Sequence, residues 1–386
     1  MPEAVIVATA RSPIGRAHKG SLTELRPDDL TATIIKTALD KVPQLDPRQV
    51  EDLYLGCGLP GGEQGFNMAR VVAILLGLDK LPAATITRYC ASSLQSTRMA
   101  FHAIKAGEGD VFVSAGVEMV SRYARGNSDV LPPDAQAAVG GPWNNPAFLD
   151  AKARTDSRTV ENTPVWTDPR ADGHVPDVYI AMGQTAENLA QICNVSREEM
   201  DEFGVRSQNL AEKAIADGFW AREITPVTLP DGTVTAGNCC PLNDGAAAVI
   251  IMSDSRAREL GIQPLARIIS TGLSALSPEI MGLGPVEASR QALARAGMSI
   301  ADVDLVEINE AFAAQVIPSA ADLGIDWDKL NVNGGAIAVG HPFGMTGARI
   351  TTTLINSLQW HDKQIGLETM CVGGGQGMAM IIERLS

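Results

Sequence analysis

The chain has 386 residues, 45% hydrophobic and 20% charged, with a net charge of −14 and a pI near 4.8. That acidity argues against non-specific nucleic-acid binding, which needs a basic face, and no apolar run is long enough to cross a bilayer. Six cysteines without a CxxC pair and five scattered histidines fit neither a disulfide framework nor a zinc site, so no metal is expected.

The amino terminus, MPEAVIVATARSP, enters a strand after two or three residues. It lacks the basic start and longer apolar stretch of a secretory signal, so the expected compartment is the cytoplasm. Short runs rich in β-branched residues follow along the chain: AVIVA (4–8), DVFVSAG (110–116), AAVIIM (247–252), LVEIN (305–309) and MAMIIE (378–383). Between them lie helical patterns such as DLTATIIKTALDKV (29–42) and PVEASRQALARAG (285–297), and this alternation predicts an α/β fold with buried strands. From about 121 to 176 the chain is rich in Pro, Asp, Asn, Gly and Trp and reads as an irregular insertion. A helical pair follows at 184–193 and 196–218, the second opened by Ser196 with Glu199 three residues on, a capping pattern.

The two ends of the chain resemble each other. Setting Val50 against Val303 matches Leu53 with Val306 and Leu55 with Ile308. Cys90 lies eight residues before Arg98 and His341 eight before Arg349, and each precedes a helical pattern that leads to a strand, VFVSAG or ETMCVGGG. This pattern suggests a duplicated α/β unit with two reactive groups at equivalent helix starts.

Cys90, in TITRYCASSLQS, stands where a helix dipole and free N–H groups favour a thiolate nucleophile; a small buried residue at a helix start would look the same. Cys371 closes a strand before three glycines, a place that suits an anion, although no Walker lysine follows. Asn309 and Glu310 end a strand, where ligands commonly bind in open α/β sheets, and Asn309 could equally cap a helix. GCGLPG (56–61) fits GxGxxG with Asp79 downstream, but it does not follow the first strand of a nucleotide-binding unit, and we discount it. The vicinal pair Cys239 and Cys240 reads as two small residues lining a turn. GGAIAVGHPFGMTG (334–347) holds five glycines around His341; such a run marks backbone that must pass where a side chain would not fit.

RYCASSLQ around Cys90, NEAF at 309–312, GGAIAVGHPFGMTG and CVGGGQG at 371–377 together resemble the motifs of the thiolase family, in order and spacing. MGQTAEN (182–188) and NDGAAAVIIMSD (243–254) look thiolase-like too, so the resemblance covers nearly the whole chain. It implies two similar βαβαβαββ halves in a five-layer αβαβα core. Residues 1–118 plus 243–263 would form the first half, 119–242 an inserted loop domain and 264–386 the second. It further implies a homodimer or homotetramer acting on acyl-CoA and CoA, with no permanently bound cofactor, no nucleic acid and no membrane partner.

By that resemblance Cys90 is the nucleophile, His341 its base, and Cys371 the acid or base at the substrate carbon. Asn309 would help stabilise the enolate, and the N–H groups of Cys90 and Gly373 would form a second oxyanion hole. Met182, Cys240, Leu242, Ala311 and Phe312 would face the pantetheine arm. The expected activity is cleavage of 3-ketoacyl-CoA to acetyl-CoA and a shortened acyl-CoA. The alternatives are a biosynthetic acetoacetyl-CoA thiolase, or a thiolase-like protein that binds acyl-CoA without turnover.

Three departures from the family bear on this. Thr87 stands where the family often has Asn, and Ala181 stands where short-chain biosynthetic members commonly carry His, which favours a broader acyl pocket and the degradative role. Between EITPVTLPDG (223–232) and TVTAGN (233–238) most thiolases carry a further strand and helix with contacts to the nucleotide end of CoA; here the two stretches join directly.

Overall fold

The computed structural model describes residues 2–126, 128–129, 145–158, 164–229, 232–233 and 242–386. Its longer strands are β1 (Ala4–Arg11), β2 (Asp52–Cys57), β3 (Ala83–Ile86), β4 (Val111–Met119), β5 (Asn243–Ser253), β6 (Ala266–Ala275), β7 (Leu305–Ile308), β8 (Ile365–Val372) and β9 (Gln376–Arg384). The helices are α1 (Pro27–Asp40), α2 (Met68–Leu75), α3 (Ser92–Ala106), α4 (Leu149–Asp156), α5 (Met182–Ile192), α6 (Arg197–Ala216), α7 (Asp254–Glu259), α8 (Gly284–Ala296), α9 (Ala313–Leu323), α10 (Ala336–Val339) and α11 (Thr346–Trp360). The β-branched runs thus form strands and the 3.6-period runs form helices. Ser196 and Glu199 make the reciprocal capping box that starts α6.

The strand order is β7-β8-β9-β6-β1-β5-β4-β2-β3. Each half repeats one plan. In the first, β1 pairs antiparallel with β5, β5 antiparallel with β4, and β4 parallel with β2. In the second, β6 pairs antiparallel with β9, β9 antiparallel with β8, and β8 parallel with β7. β3 runs parallel beside β2, and in the second half, among the described residues, only a parallel bridge from Val306 to Leu330 stands in its place. The halves join through a seam of two pairs, Val5 with Arg267 and Ile6 with Ala266.

Three apolar cores separate the layers. One lies between α1, α2 and the first half-sheet (Ile34, Val72, Ile250), and one lies outside the second under α8 and α9 (Val286, Val316, Ile381). The third lies between the half-sheets and holds α3 and α11 (Leu94, Ile104, Ile350, Leu354). The order is therefore helix, sheet, helix, sheet, helix. The two central helices nearly touch, because a Cβ on Gly347 would lie 2.1 Å from the Leu94 nitrogen. That close approach is one task of the glycine run.

One sequence expectation needs correction: the stretch 121–176, expected to be irregular, contains α4. The sequence reading also leaves β6 (ARIISTGLSA) unmarked, because it carries no apolar run, yet it lies at the seam.

Candidate active site

Cys90 sits in a single turn, Tyr89–Ala91, that leads directly into α3. Ser92 ties that turn: its Oγ accepts the Arg88 N–H at 2.9 Å and donates to the Tyr89 carbonyl at 2.6 Å. Tyr89 takes a left-handed φ of 43°. The backbone N–H groups of Gly373 and Cys90 lie near enough to the Cys90 sulfur to favour its thiolate. Burial nevertheless dominates and raises the thiol pKa to about 12, with the Glu118 carboxylate adding to the rise. A thiol so held is not self-activating and needs a base.

His341 is gripped at three points. Its backbone N–H donates to Asn243 Oδ1 at 2.8 Å, Nδ1 meets Thr346 Oγ1 at 2.7 Å, and Nε2 meets Asn309 Nδ2 at 3.3 Å. Thr346 gives its single hydroxyl proton to the Pro342 carbonyl at 2.6 Å. Its oxygen must therefore accept from the ring, which fixes the proton on Nδ1 and leaves Nε2 a bare acceptor. Burial, with the Arg349 guanidinium adding to it, lowers the ring pKa to about 3, so the imidazole is neutral. Gly340, at φ 100°, supplies the bend that lets the loop reach this position.

Cys371 lies near the end of β8 and is fully buried, and burial pushes its thiol well above the ordinary range, with Cys90 as the next contributor. Its Sγ donates to Gln315 Oε1 at 3.8 Å. β8 and α11 both pack on the turn that carries Cys90. Asn309 ends β7, held by its N–H to the Thr369 carbonyl at 3.0 Å. It is no helix cap, because α9 is preceded by Phe312 in the capping position. Its Oδ1 is buried without a partner among the described residues. Cys90, Gly373 and Cys371 are thus neighbours, His341 pairs with Asn309, and the helix that follows the His341 loop packs on the Cys90 turn. A thiol, a neutral base, a second thiol and a set of N–H donors suit acyl transfer coupled to proton transfer at carbon.

The other expected positions are less concentrated. Met182 opens α5, which packs on α9 and on the 278–283 segment, and Ala311 and Phe312 sit half-buried just before α9. Leu242 is exposed, its carbonyl accepting the Ala17 N–H at 2.6 Å. Cys239 and Cys240 lie outside the described residues. Ala181 precedes α5 without a side-chain cap, and Thr87 donates to the Gly58 carbonyl at 3.0 Å. Among the described residues no three His, Cys, Asp or Glu side chains gather as a metal site.

Sequence reasoning passed over Glu118. This fully buried carboxylate accepts N–H bonds from Gly58 (2.7 Å), Leu59 (3.2 Å) and Gly344 (2.8 Å), one from Gln64 Nε2 (3.1 Å) and the Tyr123 hydroxyl (2.8 Å). Burial raises its pKa while those donors oppose the rise. The GCGLPG turn therefore does cradle an anion, but the anion is Glu118, and Gly344 joins the His341 loop to the same carboxylate. Glu310 is another internal brace: it accepts from Ser207 (2.6 Å), Asn331 (2.8 Å) and the Ile337 N–H (3.0 Å), which ties α6 to the second half.

Residues 4–231 and 228–255 match the family model described as thiolase, N-terminal domain, and 262–384 match thiolase, C-terminal domain. A 3-ketoacyl-CoA thiolase of Bacillus subtilis is 38% identical over 425 residues, covering 99% of this chain and 100% of the relative. One from a Marinomonas species is 39% identical over 422 residues, covering 99% and 98%. Among solved structures, Bacillus anthracis acetyl-CoA acetyltransferase superposes at TM-score 0.82 with 34% identity, covering 100% of this chain and 99% of its own. Human mitochondrial 3-ketoacyl-CoA thiolase does so at 0.82 with 31% identity and 99% of each chain. The Bacillus subtilis alignment is 39 positions longer than this chain's 386 residues, and the N-terminal family match breaks at 228–231. Both facts agree with the direct join noted between 232 and 233.

Proposed function

The chain belongs to the thiolase family, and on that premise we propose that it is a 3-ketoacyl-CoA thiolase working in the degradative direction, as in β-oxidation. The observation that carries the reading is a Cys90 thiol whose thiolate is favoured by the Gly373 and Cys90 backbone N–H groups and which neighbours Cys371, with the neutral His341 on the loop that leads into the helix packed on the Cys90 turn. In this mechanism Nε2 of His341 takes the Cys90 proton as the sulfur attacks the 3-keto carbon. The carbon-carbon bond breaks and its electron pair passes to the departing acetyl-CoA as an enolate. Nε2, now protonated, donates to the thioester oxygen of that enolate, and Asn309 holds a water against it. Cys371 protonates the enolate carbon. After acetyl-CoA leaves, the Cys371 thiolate regains a proton from water; the acyl group stays on Cys90, its oxygen facing the two N–H groups, until the sulfur of free CoA, giving up its proton to water, collects it and His341 returns its proton to the departing Cys90 sulfur.

The substrates in this reading are acyl-CoA and CoA, with Met182, Ala311 and Phe312 on the pantetheine side. Leu242 and Cys240 extend that set. No helix among the described residues is long and apolar enough to cross a membrane, and we place the activity in the cytoplasm. β3 lies at the edge of the sheet, where the Asn67 amide bonds the Ala83 carbonyl and the Thr85 N–H and where Phe66 and Tyr89 are exposed, and this edge supports a homodimer. Light scattering that returned a monomer would remove that part.

Incubation with acetyl-CoA should add one acetyl group to Cys90, read by peptide mass spectrometry. Adding CoA to a 3-ketoacyl-CoA with the enzyme should abolish the substrate's absorbance. A folded protein that binds acyl-CoA but shows neither change is a binding protein, not a thiolase. Ala181 and the relatives' names support the degradative assignment, and preference for acetoacetyl-CoA across a chain-length panel of kcat/KM values would reverse it.

A further inference from the structure

Gln315, in the first turn of α9, is fully buried, and its Oε1 receives the Cys371 Sγ–H at 3.8 Å. Its Nε2 is buried with no hydrogen-bond partner among the described residues. A buried amide donor without an acceptor is unfavourable and calls for a state in which it is used. The side chain owes its place to Gly282, where a Cβ would lie 2.7 Å from Gln315 Cγ and 2.4 Å from Leu189 Cδ1. The amide is thus packed against a glycine in the core, with one end on the thiol and the other idle.

We propose that Gln315 is the positioning residue for Cys371 and serves both of its protonation states, Oε1 accepting from the thiol and Nε2, after a half-turn of the amide, donating to the thiolate. The inference rests on the reading of Cys371 as the group that exchanges a proton with the substrate carbon. In cleavage, the S–H bond of Cys371 breaks, the proton forms a C–H bond on the enolate carbon, and the electron pair remains on sulfur. In the reverse direction the thiolate takes that proton back. The thiolate arises in a pocket where burial disfavours charge, so a neutral donor that turns to meet it stabilises the state that most needs help. Carboxamide suits this because its two ends have nearly the same shape and opposite hydrogen-bonding sense. A carboxylate could only accept, and a thioether accepts weakly and cannot donate.

The test separates the two halves of the chemistry in the intact enzyme. Cys90 acetylation by acetyl-CoA does not use Cys371, whereas exchange of the acetyl methyl protons with D2O does. Gln315→Glu and Gln315→Met are compared with the unsubstituted enzyme, and thermal melting confirms that each folds. Methionine keeps the volume and adds no charge, so it stands if the glutamate variant does not fold. Exchange should fall roughly 10- to 100-fold more than acetylation in both, the size of one hydrogen bond to a charged sulfur. The rising limb of the exchange pH profile should move to higher pH, because the thiolate has lost its donor. Equal losses in both reactions, or an exchange rate and pH profile that do not move, would overturn the assignment. If the unsubstituted enzyme does not acetylate Cys90, the underlying thiolase reading fails first, and that outcome is recognisable on its own.

Discussion

Cys90 and His341 stand at matching places in the two halves, each before a central helix that runs on to a strand paired in parallel with its neighbour. They are held in opposite ways. Around Cys90 the hydrogen bonds go to the backbone: Ser92 closes the Arg88–Tyr89 turn, and the Gly373 and Cys90 N–H groups favour the thiolate. Around His341 they go to the ring, with Thr346 on one nitrogen and Asn309 on the other. A nucleophile must leave its resting contacts to form a bond, whereas a base must present one nitrogen in one protonation state. Duplication supplied the two positions, and local residues set how firmly each side chain is held.

The strongest break of this comparison is to remove one side at a time. Cys90→Ala should abolish acetyl-enzyme formation. His341→Ala should leave the fold intact and lower thiolysis by roughly 10²–10⁴-fold, the usual worth of a general base. Near-normal turnover in His341→Ala would mean that the two helix starts are not partners.

The next comparison removes the support rather than the group. Thr346→Val deletes the acceptor for Nδ1–H while keeping the shape, so the ring loses its fixed tautomer; kcat should fall roughly 10- to 100-fold with KM little changed. Ser92→Ala, its counterpart in the other half, leaves the Arg88 N–H without its side-chain acceptor and should reduce kcat only about threefold to tenfold, because the sulfur keeps its own N–H contacts. If Ser92→Ala proved the more damaging of the two, the contrast between a held ring and a held backbone would be wrong.

Much of this contrast was legible beforehand. The β-branched runs and the paired offsets of Cys90 and His341 from Arg98 and Arg349 are local patterns, and the structure turns them into repeated half-sheets and central helices. The supports were not legible, because their meaning depends on partners far along the chain. Glu118 follows an apolar run like any strand-ending acid, and only the turn at Gly58 and the loop at Gly344 make it an internal anion. Gln315 sits in the helical text AAQVIP, and its role needs Cys371, 56 residues away. β6 went unseen because buried Ser270 and Thr271 break the apolar run; Ser270 satisfies its hydroxyl on the Ala292 carbonyl at 2.7 Å.

The smallest expected effect sharpens the electrostatic side of the comparison. His341 has a pKa of about 3 in the folded protein, against about 6.5 for an unfolded chain. Between those values the unfolded state binds a proton that the folded state refuses, so stability contributed by His341 is present above about pH 6.5 and is lost as pH falls. Glu307 and Glu368, raised by burial to about 8, act in the other sense. They favour the folded state below the ordinary carboxylate range and lose that contribution as pH rises through about 8. His341→Gln retains those carboxyl terms and removes only the imidazole. The melting temperature of the unsubstituted protein should therefore drop between pH 7 and 5 by about 2 °C or more beyond the drop in the variant, given how little one titrating group shifts a chain of this size. Parallel melting curves would mean that the His341 ring takes up its proton as readily in the folded site as in water. The bare Nε2 on which its role as a base depends would then be lost below about pH 6.5.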